Sequence, residues 1–257
     1  MTQNTVYIFA TVLLALGFWW IMRVLWPPAL RRQHNELIGW QVTVLGTTYA
    51  VIIGFMLFAV WDSFERAEIN AATEANCLVN AYRSAAGLPA PQRIRIQKLA
   101  SDYADAMLNE EWPAMAHVSI SPTATRITEQ LWATVSQAEP QSVAERTSLD
   151  HTMTELTNMT EHRRVRQLQS ETTLPGVLWA VLIVGEAITI MSCCLFGSDN
   201  LALHMTQIVA LSLMLSLVLV AIADINRPFQ GSVHVSPGGF VQARQTFRDY
   251  EAEAKRP

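Results

Sequence analysis

Between Leu37 and Trp61 the only ionisable side chain is a tyrosine, and an uncharged run of that length is explained most simply by a bilayer. A hydrocarbon core takes about 20 apolar residues in helical form. Three further runs are long enough to cross: Val6 to Trp26, Leu174 to Gly197 and Leu201 to Ala223. Lipid offers the backbone no hydrogen-bond partners, so each run must be helical. Trp40 and Trp61 stand near the ends of the second run, where amphipathic rings favour the interface, and Arg23 can extend from the first run to the headgroups. No basic residue precedes the first run, and it ends in Trp and Arg rather than small residues. It therefore reads as a retained span and not as a cleaved signal.

Overall, 51% of the residues are hydrophobic and 16% charged, too apolar for an ordinary soluble domain and too charged for a bare membrane bundle. The two characters are segregated. The fold expected is all-α, with four transmembrane helices and an extramembrane helical domain inserted between helices 2 and 3. Its parts are residues 1–65 (spans 1 and 2), 66–173 (the domain, continuous with helices 2 and 3), 174–224 (spans 3 and 4) and 225–257 (a loop and a short amphipathic helix).

The second span meets no stop signal at its end. Ala67, Ala71, Ala75, Leu78, Ala81 and Ala85 follow at helical spacing, so one helix should leave the membrane and end at Gly87, Pro89 and Pro91. A second helix from about Gln92 carries Ile94, Ile96, Leu99, Tyr103, Met107 and Leu108, and Trp112-Pro113 closes it. Ser121-Pro122 has N-cap and first-turn residue types, and Ser142 with Glu145 matches a capping box. The last domain helix should run to about Thr172 and feed the third span through Pro175. After Asp224, Pro228, Gly231, Pro237, Gly238 and Gly239 exclude helix until Phe240, Ala243, Phe247 and Tyr250 recur at helical spacing.

Four spans place both termini and the domain on one side. Arg66, Arg163, Arg164, Arg166 and Arg227 then lie near span ends on that side, against Arg23, Arg31 and Arg32 on the other, which favours a cytoplasmic domain. The first helix read alone argues for the reverse. The domain carries nearly as many basic as acidic residues, so no nucleic-acid footprint or lipid-binding polybasic cluster is present. Cys193 and Cys194 fall inside a span and leave Cys77 alone, giving no disulfide framework.

Glu186, near the middle of the third span, must be protonated, paired or wet: an ion or proton site, or an acid bonded to Thr47, Thr48 or His204 of a neighbouring helix. His204 is either its titrating partner or an interfacial anchor. His151 and Glu155 are four apart but lack a third ligand, so no metal is expected there. No HExxH, GxSxG, P-loop or dinucleotide fingerprint occurs, and neither catalysis nor a cofactor is expected.

Two stretches, Ile52-Ile53-Gly54-Phe55 with Val60-Trp61-Asp62 and Ala67, and Asp224-Ile225-Asn226-Arg227-Pro228-Phe229-Gln230-Gly231, resemble the bestrophin family. With Tyr49-Ala50-Val51, Glu74-Ala75, Tyr82-Arg83 and Glu111-Trp112-Pro113-Ala114-Met115, the chain is similar over nearly its full length to the bacterial bestrophin-like domain family. The resemblance implies a pentameric ion channel of the bacterial inner membrane, with both termini and the helical domain cytoplasmic. It also implies a narrow apolar neck on the second helix, which here falls on Phe55 and, stepping back by fours, on Val51 and Thr47. Asp224, Pro228, Phe229 and Gly231 form the family's motif loop. Asp224 and Asn226 only loosely match the calcium-binding segment of animal bestrophins, and Arg227 departs from it, so no calcium site is expected. The partners implied are the bilayer, ions and other copies of the chain. A non-conducting scaffold or sensor whose helical domain binds a partner or ligand is the alternative; it is favoured if Thr47, Val51 and Phe55 pack on helices of their own subunit. A membrane enzyme using Glu186 and His204 would be favoured if the two face one water-filled cavity.

Overall fold

The structure is a computed structural model and describes residues 2–254. Its helices are α1 (Thr2–Leu25), α2 (Pro28–Arg31), α3 (Asn35–Ser84), α4 (Ala90–Ala106), α5 (Trp112–Met115), α6 (Pro122–Ser136), α7 (Val143–Glu171), α8 (Gly176–Cys194), α9 (Leu201–Ile225) and α10 (Gly238–Ala254). Among the described residues there is no strand. Helices α1, α3, α8 and α9 are each long and apolar enough to span a bilayer. The chain forms two compact units: the chain up to Asp62 with Thr173–Asn226, and Ser63–Thr172 with the chain from Arg227 onward.

In the first unit α1 lies against α8 and α9. Ala15 and Trp19 of α1 meet Ile190 and Cys194 of α8 and Ile208 of α9, while Tyr49, Ile53 and Val60 of α3 meet Leu182, Leu219 and Ile222. The interhelical loops are fastened to each other. Asn35 Nδ2 donates to the Gly197 carbonyl at 3.0 Å and Asn35 Oδ1 accepts from the Gly197 N–H at 2.9 Å. Position 197 has to be glycine, because a Cβ there would stand 2.6 Å from the backbone N of Arg32 and the carbonyl O of Pro28. Asn200 caps α9, its Oδ1 accepting from the Leu203 N–H at 3.0 Å.

In the second unit the small residues of α3 let other helices approach its axis. Ala75, Leu78, Tyr82 and Ala85 are buried with Ile96, Leu99 and Tyr103 of α4, Ile127 and Leu131 of α6, Leu156 and Met159 of α7, and Phe240 and Phe247 of α10. Tyr82 and Phe247 stack with ring centroids 4.5 Å apart, an arrangement worth about 0.5–1.5 kcal/mol beyond burial alone. The Ser121 side chain caps α6, accepting from Thr123 and Ala124 N–H. Ser142 caps α7 by accepting from Glu145 N–H, but the Glu145 carboxylate returns to the Gln141 N–H, one residue earlier than the capping box expects.

Helix α3 is continuous for 50 residues and ends just before Gly87, as its lack of breakers implies. The domain is not continuous with the third span in the same way. Helix α7 stops at Glu171, Thr172 is extended, and α8 begins only after Pro175. The cause is Pro175, which carries no N–H and disfavours helical geometry in the residue before it.

Candidate pore-lining face and buried polar groups

The rotation of α3 is set by one aromatic contact. Tyr49, 4% exposed, donates its hydroxyl to the Leu182 carbonyl at 2.6 Å, and its ring occupies space that a side chain at position 185 would fill: a Cβ on Gly185 would lie 2.5 Å from it. Ile53 and Val60 follow Tyr49 inward, with Met56 packed against them. At about 100° per residue, Val51 lies on the far side of the helix from both Tyr49 and Ile53. Thr47, Val51 and Phe55 are accordingly exposed in the chain, Val51 at 52% and Phe55 at 66%. None of the three belongs to the clusters that α3 forms with Leu182, Leu219 and Ile222 or that α1 forms with α8 and α9. The same side carries Gln41, Thr48 and Phe58, all exposed, and no charge between Leu37 and Phe58.

Glu186 is buried, and its partner is Tyr7 of α1, whose hydroxyl donates to Oε2 at 2.5 Å. Its Oε1 is buried with no hydrogen-bond partner. Thr47, Thr48 and His204 do not supply the bond. His204, also buried, accepts from the Trp19 indole N–H on Nδ1 at 3.1 Å, and its Nε2 stands 3.2 Å from the Cys193 carbonyl. An indole can only donate and a carbonyl can only accept, so the ring is neutral with its proton on Nε2. Glu186 and His204 thus have separate partners.

The motif loop closes on a tryptophan. Asp224 is half-buried at the end of α9, whereas Pro228 and Phe229 are buried. Phe229 meets Trp112 edge-on with centroids 5.8 Å apart, Val235 N–H donates to the Pro228 carbonyl at 2.7 Å, and Trp112 Nε1 donates to the Val235 carbonyl at 3.1 Å. Gly231 has φ 81°, a conformation that favours glycine. His151 is exposed and Glu155 half-buried, and no group of three His, Cys, Asp or Glu among the described residues is placed to hold a metal ion.

The largest polar feature of the second unit lies elsewhere. Arg166, fully buried, presents Nε and Nη2 to Glu74, at 2.6 Å and 3.2 Å, and Nη2 also reaches Glu111 at 3.3 Å. Arg163 pairs with Glu111 at 3.4 Å and donates to the Tyr103 hydroxyl at 2.9 Å, which in turn donates to Glu74 at 2.6 Å. Two guanidinium groups and two carboxylates balance. Burial alone disfavours the Arg166 charge, but Glu74, then Tyr103 and Glu111, outweigh it and hold the group above its ordinary range. Burial likewise raises the Tyr103 hydroxyl. One turn of π-helix, Met107–Glu111, lets consecutive glutamates reach one serine: Glu111 accepts from Ser121 N–H at 2.7 Å and Glu110 from the Ser121 hydroxyl at 2.9 Å. Glu74 had a sequence signal, an acid inside the Ala71, Ala75, Leu78 stripe that must find a buried partner. Arg163 and Arg166 are therefore buried ion-pair members and not interfacial anchors, so the charge count for orientation loses two of its five residues.

A family model, the bestrophin-like domain, matches residues 9–240. The chain belongs to the bestrophin-like family. Among solved structures, a point variant of a bacterial bestrophin homologue from Klebsiella pneumoniae matches with TM-score 0.71 and 14% identity, covering 95% of this chain and 98% of that one. The homologue from the same organism phased on zinc matches with TM-score 0.69 and 14% identity, covering 98% and 99%. A further variant, described only as a membrane protein, gives 0.68 and 13%, covering 97% and 98%. No curated protein matches the sequence. The bestrophin-like protein described here thus shares its whole fold with the Klebsiella homologue at an identity that speaks for fold alone, and it is an integral membrane protein.

Proposed function

We propose that this protein is an oligomeric ion channel, a pentamer in the bacterial inner membrane, whose neck is formed by stacked rings of Thr47, Val51 and Phe55. The observation that carries the reading is the orientation of α3. Its Tyr49, Ile53 and Val60 side is packed within the chain, and the opposite side leaves those three residues exposed. Gln41, Thr47 and Thr48 also bring an amide and two hydroxyls to that side, groups that a water-filled pore would solvate. Uncharged rings of Val and Phe would conduct when wetted and close by dewetting. Cover of those side chains by their own subunit would have favoured the scaffold reading, and their exposure in the chain supports the pore instead.

In this reading both termini and the helical domain are cytoplasmic, and the loop from Asp224 to Gly231 is a structural latch on Trp112 and not a calcium site. The test is a planar-bilayer recording of the purified protein beside Phe55→Ala in asymmetric salt. Larger currents in the variant, with a reversal potential that reports the sign of the ion, are expected. Identical currents would remove the neck assignment; silence from both, with an intact oligomer in detergent, would remove the channel. Native mass spectrometry of that oligomer should give five subunits.

A further inference from the structure

At the end of the first unit where α1 and α8 finish, two cationic side chains, one buried and one half-buried, have no acid as partner among the described residues. Arg31 is 0% exposed; its Nη1 donates to the Cys194 carbonyl at 2.7 Å, and its Nε and Nη2 have no hydrogen-bond partner. Arg23 lies over the Trp19 ring at 5.9 Å, and its Nη1 is also buried and unpartnered. Both side chains meet one cluster: Arg23 lies on the Trp19 ring, which packs with Cys194 and donates to His204, and Arg31 binds the Cys194 carbonyl. The neighbouring carboxylate, Asp199, is engaged by Arg32, while Glu186 is bonded to Tyr7.

Part of this arrangement has a plain structural role. Arg31 satisfies a carbonyl at the end of α8, where the helix dipole favours a cation. That role uses one N–H and leaves idle the edge of the guanidinium best suited to an oxyanion. Elsewhere in this protein the same edge is engaged: Arg166 presents Nε and Nη2 to the two oxygens of Glu74. A second cation on the same cluster, with its Nη1 also buried and unpartnered, makes the need for an anion greater, because buried donors require acceptors.

We propose that Arg31 and Arg23 form a clamp for a phosphate group, Arg31 engaging two of its oxygens through Nε and Nη2 and Arg23 a third through Nη1. The planar fork matches two oxygens of a phosphate, which a spherical halide cannot offer. Access is through Arg23. It is the half-buried member, its side chain is long and flexible, and Trp20, Val24 and Leu25 beside it on α1 are exposed. An anion that displaces this side chain uncovers Arg31 and is then held from both sides. The phosphate can belong to an anionic lipid headgroup, since the site adjoins an exposed apolar surface flanked by the interfacial residues Trp26 and His34, or it can be free in solution.

The full chain, purified and delipidated in detergent, is titrated with phosphatidylglycerol and separately with inorganic phosphate. Lipid retention is read by native mass spectrometry, and the ligand-dependent shift in unfolding temperature by a thermal scan. Arg31→Lys keeps the charge and removes the fork, Arg23→Gln removes the second prong, and Arg32→Gln is the control. The expected result is an affinity loss of roughly tenfold or more in each of the first two variants and none in the control. Retention of the lipid identifies a headgroup site, and a shift with inorganic phosphate alone identifies a free-anion site. Equal retention and equal shifts in wild type, Arg31→Lys and Arg23→Gln would overturn the proposal. Should Arg31→Lys fail to fold, Arg23→Gln decides alone, since its side chain is only half-buried. A purely structural Arg31 would lower stability in its variant without changing the ligand-dependent shift.

Discussion

Replacing Glu74 by Gln tests whether the buried ion network carries charge as described. The substitution is nearly isosteric, so packing around Ala71, Ala75 and Leu78 is kept while one of two negative charges is removed. Arg163 and Arg166 are then left with Glu111 alone, one net positive charge in a core where both Arg166 and Glu74 are 0% exposed. Breaking a buried pair by removing one partner costs about 3–5 kcal/mol, most of it the penalty of the uncompensated partner. For a chain of this size 1 kcal/mol corresponds to roughly 2–4 °C, so the unfolding temperature in detergent should fall by about 6–20 °C. The double variant Glu74→Gln, Arg166→Met restores neutrality and should recover most of that loss, because an apolar replacement of a buried pair is often near neutral. The assay is circular dichroism during a thermal ramp, with oligomer integrity checked by size exclusion. An unchanged Glu74→Gln protein, or a double variant worse than the sum of its singles, would show that the groups are hydrated or uncharged and refute the reasoning.

Gly197→Ala places a methyl 2.6 Å from two backbone atoms that cannot turn aside; a loss of about 1–3 kcal/mol, read from the unfolding temperature, is expected. Tyr7→Phe removes the hydrogen-bond partner of Glu186 and should cost about 1–3 kcal/mol, whereas Glu186→Leu added to it should restore stability. Burial, with Glu155 adding to it, pushes the Cys77 thiol up to about 11. The folded chain therefore keeps the proton that the unfolded chain gives up, and this contribution to stability is full below the unfolded thiol pKa and is lost as pH rises towards 11. In a Cys193→Ser, Cys194→Ser background, iodoacetamide at pH 8 should leave Cys77 unmodified by intact mass, and modification there at the rate of an exposed thiol would contradict the burial.

The spans were legible because length and absence of charge decide them locally, and the reach of α3 was legible because nothing before Gly87 breaks it. The break between α7 and α8 has its own signal in Pro175, masked in the sequence by the apolar run that begins at Leu174. Glu74 announced itself as an acid in an apolar stripe. Its partner did not, since Arg166 is 92 residues away and shares the appearance of an interfacial arginine. Tyr7 is 179 residues from Glu186 and lies on a helix with no polar periodicity to flag it. Which side of α3 faces out also had to come from the fold, because Tyr49 and Gly185 set it jointly.

That contact makes α3 sensitive to length as well as to residue identity. Tyr49 acts as a key in a slot, fixing the phase of every residue after it. Inserting one residue between Tyr49 and Phe55 would turn all later positions by about 100° and carry Phe55 off its face, whereas inserting four would return it to within roughly 40°. Length variants of this helix should therefore be tolerated only in near-whole turns, even where every inserted residue is apolar and a good helix former.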